Sequence, residues 1–294
     1  MTPSTPRARP VVLVVLDDDM LAPRALADDS ARLARTRVLT GLEATHPRGT
    51  IAAGGPDIGL SAGQPGSSEI GHVALGTGRV PTTDLGRIDA AIREGVFGTN
   101  EVLARTVGRA KELGGRLHLV GLVSDGGVHS SPVHLYALID LAKRARVHVV
   151  VHALLDGRDA APYTAPRHVA DLERLLGGGV GRIGTVGGRF WGMDRDKRWD
   201  RIGKCYRAVM AADVHRADSA LRGIEDAYAA GATDEFIEPF VAFDYPGVSP
   251  VDTAVHYNFR PDGARHLARA LADPSFDGFP RKAGRAPFAD ALPA

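Results

Sequence analysis

The feature that most constrains the fold is a repeated order of short β-branched runs, each followed by a glycine-containing polar loop and then by apolar residues at helical spacing. This order is typical of βαβ units, in which successive strands run parallel and helices cover the sheet. The predicted strands are residues 11–16, 117–123, 147–155, 182–186 and 253–257. The predicted helices are residues 134–146, 165–176, 197–212, 217–230 and 262–272. The sequence therefore predicts an α/β protein built on a parallel sheet.

Two stretches interrupt this order and mark candidate domain boundaries. Residues 54–78 are rich in glycine, proline and serine, a composition that disfavours long regular elements and is typical of a structured functional loop. After residue 280 the periodicity is lost, which is typical of a tail or of the stub of a further segment. We therefore predict a segment 1–78 that contains the loop, a larger α/β domain 79–280 and a tail 281–294.

A balanced charge limits the classes of partner. The chain carries 36 basic and 35 acidic residues, so no overall field favours nucleic acid or an anionic membrane surface. Cys205 is the only cysteine, which excludes an intramolecular disulfide and a cysteine-built zinc site. Residues 1–10 lack the apolar core of a signal peptide, and the apolar run 11–16 is far shorter than the roughly 20 residues that span a bilayer. We expect a cytoplasmic protein that binds neither nucleic acid nor membrane.

Arginine occurs in several loops that follow predicted strands. In a parallel sheet, ligands bind beyond the carboxyl ends of the strands, where such loops meet. A guanidinium group makes bidentate contacts with phosphate or carboxylate, and glycines beside it let the backbone come close to the ligand. The candidate arginines are Arg158, Arg189, Arg195 and Arg260. Together they predict a site for a small phosphorylated acid with several negative charges.

Each candidate residue also has a structural interpretation. A single arginine of this kind pairs as often with a nearby surface aspartate, although four at one edge of a sheet favour ligand binding. Asp159 is placed either to accept hydrogen bonds from ligand hydroxyl groups or to orient Arg158. His129, which follows the predicted strand 117–123, is a candidate proton donor or phosphate ligand, and a loop histidine is as often structural.

A second candidate centre combines an acidic run with a serine loop. Asp17, Asp18 and Asp19 follow the predicted strand 11–16, where carboxylates are well placed to hold a divalent metal. Residues 63–72 read GQPGSSEIGH and place Ser68 in a glycine-rich turn. A metal beside a serine hydroxyl lowers its pKa enough for attack on phosphorus. The structural alternative is a glycine-rich turn capped by serine.

Six segments resemble, in the same order, the cofactor-independent phosphoglycerate mutases of the alkaline-phosphatase superfamily. They are 63–72 (GQPGSSEIGH), 124–130 (SDGGVHS), 155–159 (LDGRD), 193–199 (MDRDKRW), 234–241 (DEFIEPFV) and 258–262 (NFRPD). The resemblance extends from residue 11 to about residue 281. It implies that residues 1–78 form part of an alkaline-phosphatase-like domain and that 79–280 form the inserted, substrate-binding phosphotransferase domain.

The resemblance also implies a role for each candidate residue. Ser68 falls at the position of the phosphoserine nucleophile, and Asp17 and Ser68 fall at manganese-binding positions. The residues at substrate-binding positions are His129, Arg158, Asp159, Arg189, Arg195 and Arg260. The implied reaction transfers phosphate from 3-phosphoglycerate to the serine and then to the 2-hydroxyl of the reoriented glycerate. This is an isomerase reaction of glycolysis that uses Mn²⁺ and no bisphosphoglycerate.

Several positions depart from the family pattern. The chain stops where the family returns to its phosphatase domain, so we expect the remaining His and Asp metal ligands to come from a missing or separately encoded C-terminal half. A substrate-binding arginine of the family is Gly263 here, and further departures are Asp18, Asp19, Ser67 and Ser131. Losing one charge-assisted contact costs about 1.5–3 kcal/mol, which would weaken or retune recognition of phosphoglycerate.

Three hypotheses follow from these observations. The first is a mutase-type phosphotransferase acting on phosphoglycerate, or on a related phosphorylated or phosphonate acid of a specialised pathway, together with a metal-binding partner half. The second is a non-catalytic binding or scaffold protein for a phosphorylated small acid. The third is a haloacid-dehalogenase-type phosphatase, in which Asp17 is phosphorylated and Asp19 acts as acid and base; it leaves Ser68 and the arginine loops without a role.

Overall fold

The computed structural model describes residues 11–16, 37–60, 66, 68–211, 214–281 and 288. The chain divides into two compact units, residues 1–81 and 82–294. The domain boundaries predicted from the sequence, 78/79 and 280/281, stay a prediction.

The first unit contains short helices and an exposed apolar segment. Its helices are α1 (Arg37–Thr45), a single 3₁₀ turn (Pro56–Ile58) and α2 (Ser68–Thr77). Residues 11–16 form no strand, and their side chains are 42–95% exposed. The prediction of a strand there is wrong, because a strand needs a neighbour for its backbone hydrogen bonds. The described part of this unit supplies no second strand.

A six-stranded sheet forms the centre of the second unit. The strands are β1 (Leu117–Val123), β2 (Val149–Leu155), β3 (Gly181–Gly188), β4 (Arg216–Ala217), β5 (Phe240–Ala242) and β6 (Thr253–His256). Their order across the sheet is β4-β5-β3-β2-β1-β6, and only the β3–β5 pair is antiparallel. Every residue of β1 and β2 is buried, as expected for parallel strands covered on both faces. The predicted α/β class with a parallel sheet is confirmed.

Several helices of the second unit begin at a residue whose side chain caps them. Thr83, Asn100 and Ser131 accept hydrogen bonds from backbone N–H groups of the first helical turns that follow them. The helices are α3 (Asp84–Arg93), α4 (Glu101–Glu112), α5 (Pro132–Ala145), α6 (Ala165–Leu176), α7 (Arg189–Gly192), α8 (Trp199–Val209), α9 (Ala220–Ala229) and α10 (Arg265–Ala272). All five predicted helices are present, with ends shifted by up to three residues. No helix within the described ranges is long and apolar enough to cross a membrane.

Alternating side chains of the strands build a core on each face of the sheet. Leu119 and Val151 face the cluster formed with α4, α5, α6 and α9, whereas Val120 and Leu154 face the cluster formed with α8 and α10. Phe288, from the predicted tail, is 7% exposed and packs in the second cluster. Its backbone N–H donates to the carbonyl of Leu271 in α10 at 3.1 Å. Helices therefore cover both faces and leave the strand ends free to carry loops.

A chain of buried polar groups crosses the second face. Nδ1 of His118 lies 2.8 Å from Nε2 of His152, whose Nδ1 lies 2.9 Å from Oγ1 of Thr185. At the other end, Nε2 of His118 lies 3.0 Å from Oδ2 of Asp252. Burial lowers the pKa of both histidines, and for His118 the hydrogen bond to Asp252 opposes that shift only in part. Both imidazoles are therefore neutral in the folded protein at neutral pH.

Acidification is expected to destabilise the fold through these histidines. Between pH 7.5 and 5.5 the burial of neutral His152 is expected to lower the free energy of unfolding by about 1.4 kcal/mol, because the unfolded imidazole binds a proton below about pH 6.5 and the buried one does not. Urea unfolding of His152→Gln should show a loss smaller by about 1.4 kcal/mol than that of wild type. His215→Gln removes an exposed histidine of the same unit and should lose as much as wild type. Equal losses in all three proteins would contradict the assignment.

Candidate functional site

The polar side chains of interest lie in the loops after β1, β2, β3 and β6. Because β1, β2, β3 and β6 run parallel, their carboxyl ends meet at one edge of the sheet. His129 follows β1, Arg158 and Asp159 follow β2, and Arg189 and Arg195 follow β3. Arg260 follows β6, and the backbone N–H of Phe259 beside it donates to the carbonyl of His129 at 3.0 Å. The topology thus brings four loops together at one edge.

Asp156, the first residue after β2, fixes the centre of this edge. It is 3% exposed, and its carboxylate accepts hydrogen bonds from Oγ of Ser124 at 2.5 Å and from the backbone N–H groups of Arg158 and Asp159 at 3.1 and 2.9 Å. It also accepts from Nη1 of Arg189 at 2.6 Å. Burial raises the pKa of Asp156, but these hydrogen bonds outweigh it and bring the pKa below its usual value. The carboxylate therefore stays ionised and holds the loop in place.

Arg189 joins Asp156 to two of the predicted site residues. Its Nη1 donates to Oδ2 of Asp159 at 2.5 Å, and its Nη2 lies 2.9 Å from Nε2 of His129. Because a guanidinium group only donates, Nε2 of His129 accepts, and the proton of the neutral ring sits on Nδ1. Burial, with the charge of Arg189, lowers the pKa of His129 to about 4. His129 is therefore a neutral imidazole whose Nδ1 is buried without a hydrogen-bond partner among the described residues.

Arg195 and Arg260 both donate hydrogen bonds to Asp262, which was not among the site residues predicted from the sequence. Nη1 of Arg195 donates to Oδ2 of Asp262 at 3.0 Å, and Nε of Arg260 donates to the same oxygen at 3.1 Å. The loop that carries Arg195 is ordered by Asp194, which accepts hydrogen bonds from two backbone N–H groups, those of Asp196 and Arg198. Both arginines are partly exposed, so they present their guanidinium groups at the surface of the edge.

Arg158 stands apart from this network. Its backbone N–H is bonded to Asp156, but its side chain is 61% exposed and lies 3.8 Å from the carboxylate of Glu235. Hydrogen bonds join His129 and Asp159 to Arg189, and others join Arg195 and Arg260 to Asp262, whose Oδ1 lies 3.7 Å from Nδ1 of His129. Five of the six predicted substrate-binding residues are thus brought together, and the guanidinium group of Arg158 is not.

Glycine at the end of β3 lets a neighbouring loop approach Arg189. A Cβ on Gly188 would lie 2.1 Å from the carbonyl oxygen of Glu235, and the N–H of Gly188 donates to the carbonyl of Ile237 at 2.7 Å. Gly157 takes a positive φ of 69° against the same loop. Both glycines are required for the backbone approach that packs residues 234–237 against the site.

Gly263 is the position at which the resemblance implies a substrate-binding arginine. A Cβ there would lie 2.7 Å from Cε of Met193, a buried residue whose Sδ lies 3.8 Å from Nδ2 of Asn258. An arginine at this position would require Met193 to move. The local packing is therefore adapted to the smaller residue.

The predicted nucleophile and metal ligand cannot be placed in this site. Asp17 lies outside the residues that the structure describes, and so does the side chain of Ser68, whose backbone begins helix α2. Across the described ranges, no three His, Cys, Asp or Glu side chains are grouped so that they could hold a metal ion. These residues do not form a metal centre by themselves, and the manganese site at Asp17 and Ser68 stays a prediction.

Comparison with known proteins agrees with this architecture. Residues 88–290 match the family described as BPG-independent PGAM N-terminus. Two relatives named 2,3-bisphosphoglycerate-independent phosphoglycerate mutase are similar: that of Dinoroseobacter shibae is 46% identical over 92% of this chain and 53% of its own length, and that of Symbiobacterium thermophilum is 47% identical over 95% and 54%. A crystal structure of Leishmania mexicana phosphoglycerate mutase at low cobalt concentration superposes with a TM-score of 0.76 at 31% identity, over 84% of this chain and 48% of that one.

These matches cover most of this chain but only part of each relative. The chain spans about half the length of the relatives that it matches. The matched half contains the arginine-bearing edge of the sheet, since the family match covers residues 88–290. The chain therefore belongs to the BPG-independent phosphoglycerate mutase family and corresponds to its N-terminal part.

Proposed function

We propose that this chain is the acid-binding part of a mutase-type phosphotransferase that interconverts 3-phosphoglycerate and 2-phosphoglycerate. The observation that carries the proposal is the meeting of Arg189, Arg195, Arg260 and His129 at the carboxyl edge of one parallel sheet. Planar guanidinium groups match the geometry of carboxylate and phosphate, and a phosphorylated hydroxy acid carries both. Family membership supports the same substrate class.

The residues at this edge would each have a different role in binding the acid. Arg195 and Arg260 are partly exposed and able to turn toward an anionic group. Arg189 is buried and already donates hydrogen bonds to the carboxylates of Asp156 and Asp159. It therefore orders the site and adds positive charge to it. The Nδ1–H of His129 is a neutral donor without a partner among the described residues, suited to a ligand oxygen. Asp159, whose Oδ2 accepts from Arg189, would accept a further hydrogen bond from a ligand hydroxyl group.

Phosphotransfer itself would need groups beyond this edge. We propose Ser68 as the phosphorylated nucleophile and Asp17 as a ligand of Mn²⁺, in keeping with the resemblance of residues 63–72 to the family's serine loop. The described residues offer no complete metal centre. Because the chain spans about half of its relatives, we propose that a C-terminal part, in a longer polypeptide or a separate one, supplies the remaining ligands.

Reconstitution tests this proposal. The chain mixed with the C-terminal part of a similar mutase and Mn²⁺ is expected to convert 3-phosphoglycerate to 2-phosphoglycerate, with at least about a thousandfold less conversion when either part is left out, since positioned charge supplies most of the rate in phosphoryl transfer. Conversion is measured by an enolase-coupled assay. Ser68→Ala is expected to abolish it, and Ser61→Ala, a serine outside the 63–72 motif, should not. An inactive mixture whose parts form a complex would count against the proposal.

Gly263 favours a second candidate, a protein that binds a phosphorylated acid without turnover. The glycine removes a cation that the family uses for its substrate, and Met193 fills the adjacent space. Mass spectrometry of the reconstituted pair after incubation with 3-phosphoglycerate and Mn²⁺ separates the two functions. Phosphate on Ser68 supports the transferase, whereas calorimetric binding of 3-phosphoglycerate without phosphoserine supports the binding protein.

A further inference from the structure

Asp262 gathers the predicted ligand-binding side chains around one carboxylate. Its Oδ2 accepts hydrogen bonds from Nη1 of Arg195 at 3.0 Å and from Nε of Arg260 at 3.1 Å, and Nη2 of Arg260 lies 3.0 Å from the same oxygen. Its Oδ1 lies 3.7 Å from Nδ1 of His129. Side chains from three separate loops thus surround one negatively charged group, which is the arrangement expected around a bound carboxylate or phosphate.

Asp262 is held much less firmly than the other central carboxylate, Asp156. The side chain of Asp156 is 2% exposed and accepts from Ser124 and from two backbone N–H groups, so it is part of the loop's framework. The side chain of Asp262 is 32% exposed, and the backbone hydrogen bond that it accepts within the described chain comes from its neighbour Gly263, at 2.9 Å. Its other contacts are the groups that a ligand would use. Partly exposed pairs of this kind are worth little and exchange readily.

An incoming anion and Asp262 cannot share the same two arginines without like-charge repulsion. Burial raises the pKa of Asp262, but Arg195 and Arg260 outweigh that effect and lower it, so the carboxylate is charged at neutral pH. Two like charges in contact with one pair of cations repel each other, which weakens the binding of both. Turning Asp262 away would relieve this repulsion.

We propose, on the basis of the proposed binding of a phosphorylated acid, that Asp262 is an internal competitor that occupies the anion position between Arg195 and Arg260 until a ligand displaces it. Asp262 is then a residue that determines affinity. It keeps the arginines ordered and neutralised in the free protein and raises the concentration of anion needed to fill the site.

Calorimetric titration with inorganic phosphate tests this role. Asp262→Asn keeps the size of the side chain and an acceptor for the N–H of Gly263, and it is expected to bind phosphate about tenfold more tightly than wild type, the effect of removing one competing charge. The matched control is Asp273→Asn at the other end of helix α10, which removes a carboxylate from the Arg269–Asp273 pair and should leave phosphate affinity unchanged. Thermal unfolding verifies that both variants are folded.

Several outcomes would overturn the competitor role of Asp262. Unchanged or weaker phosphate affinity in Asp262→Asn, or no phosphate binding by either it or wild type, would overturn the competitor role. In an Arg195→Gln/Arg260→Gln background the substitution should bring no gain, and a tenfold gain there would also overturn it, because the effect would then be one of overall charge. Titration with 3-phosphoglycerate separates the two proposals: tighter binding of phosphate without binding of 3-phosphoglycerate would reject the proposed substrate and leave the competitor role intact.

Discussion

Replacing Arg189 by methionine is expected to lower the free energy of unfolding by about 3–5 kcal/mol and to abolish binding of 3-phosphoglycerate. The side chain of Arg189 is 10% exposed, and that of its partner Asp156 is 2% exposed. Without the guanidinium group, Asp156 stays ionised in a buried position and Asp159 and His129 lose their donor. The cost is large because a buried charge is left without its counter-charge, not because the ion pair itself is strong.

Arg195→Met is the control for this prediction. Arg195 pairs with Asp262, but its side chain is 50% exposed, so its loss should cost less than about 1 kcal/mol of stability while still weakening binding of 3-phosphoglycerate. Urea unfolding followed by tryptophan fluorescence gives both stabilities, and calorimetry below the unfolding transition gives the affinities. Similar stability losses in the two variants would contradict the view that Arg189 compensates a buried charge and Arg195 does not.

Most of the second unit follows from local sequence pattern. The apolar runs that become β1 and β2 are long and flanked by polar loops, so their positions are confirmed to within two residues. β4 and β5 have only two and three residues, too few to produce a recognisable alternation. The prediction of a strand at residues 11–16 was wrong for a different reason: apolar β-branched composition favours extended backbone, but pairing is decided by strands distant in sequence.

Only some residues of the candidate site could be predicted from the sequence. The arginines were predictable, because the rule that ligands bind at the carboxyl ends of parallel strands needs only the strand positions. Their carboxylate partners were not, since Arg195 and Asp262 are 67 residues apart and Arg189 and Asp156 are 33 apart. Asp156 had one signal, its place as the first polar residue after a buried strand. Nothing in the local sequence indicates that Arg158 turns toward Glu235.

A second large loss of stability is expected at the amino ends of the same strands, opposite the edge that carries the arginines. Asp252 immediately precedes β6, and its side chain is 1% exposed. It accepts hydrogen bonds from the backbone N–H and Nη2 of Arg116 at 2.8 and 2.7 Å and from the N–H of Ser249 at 2.8 Å, and it lies 3.0 Å from His118. Asp252→Ala is expected to lower the free energy of unfolding by about 3–5 kcal/mol, because several buried donors lose one acceptor.

Asp244→Ala is the matched control, because the carboxylate of Asp244 also pairs with an arginine, Arg182, but is 64% exposed. Its loss should lower the free energy of unfolding by less than about 1 kcal/mol.

Asp252→Ala should nevertheless keep wild-type affinity for phosphate once folded, because Asp252 lies at the amino end of β6 and the arginines lie beyond the carboxyl ends of the strands. Arg189→Met loses both stability and binding, whereas Asp252→Ala loses stability alone. A loss of phosphate affinity in folded Asp252→Ala would contradict this separation of stability from binding. It would show that the buried polar groups around His118 are coupled through the strands to the arginines at the carboxyl ends.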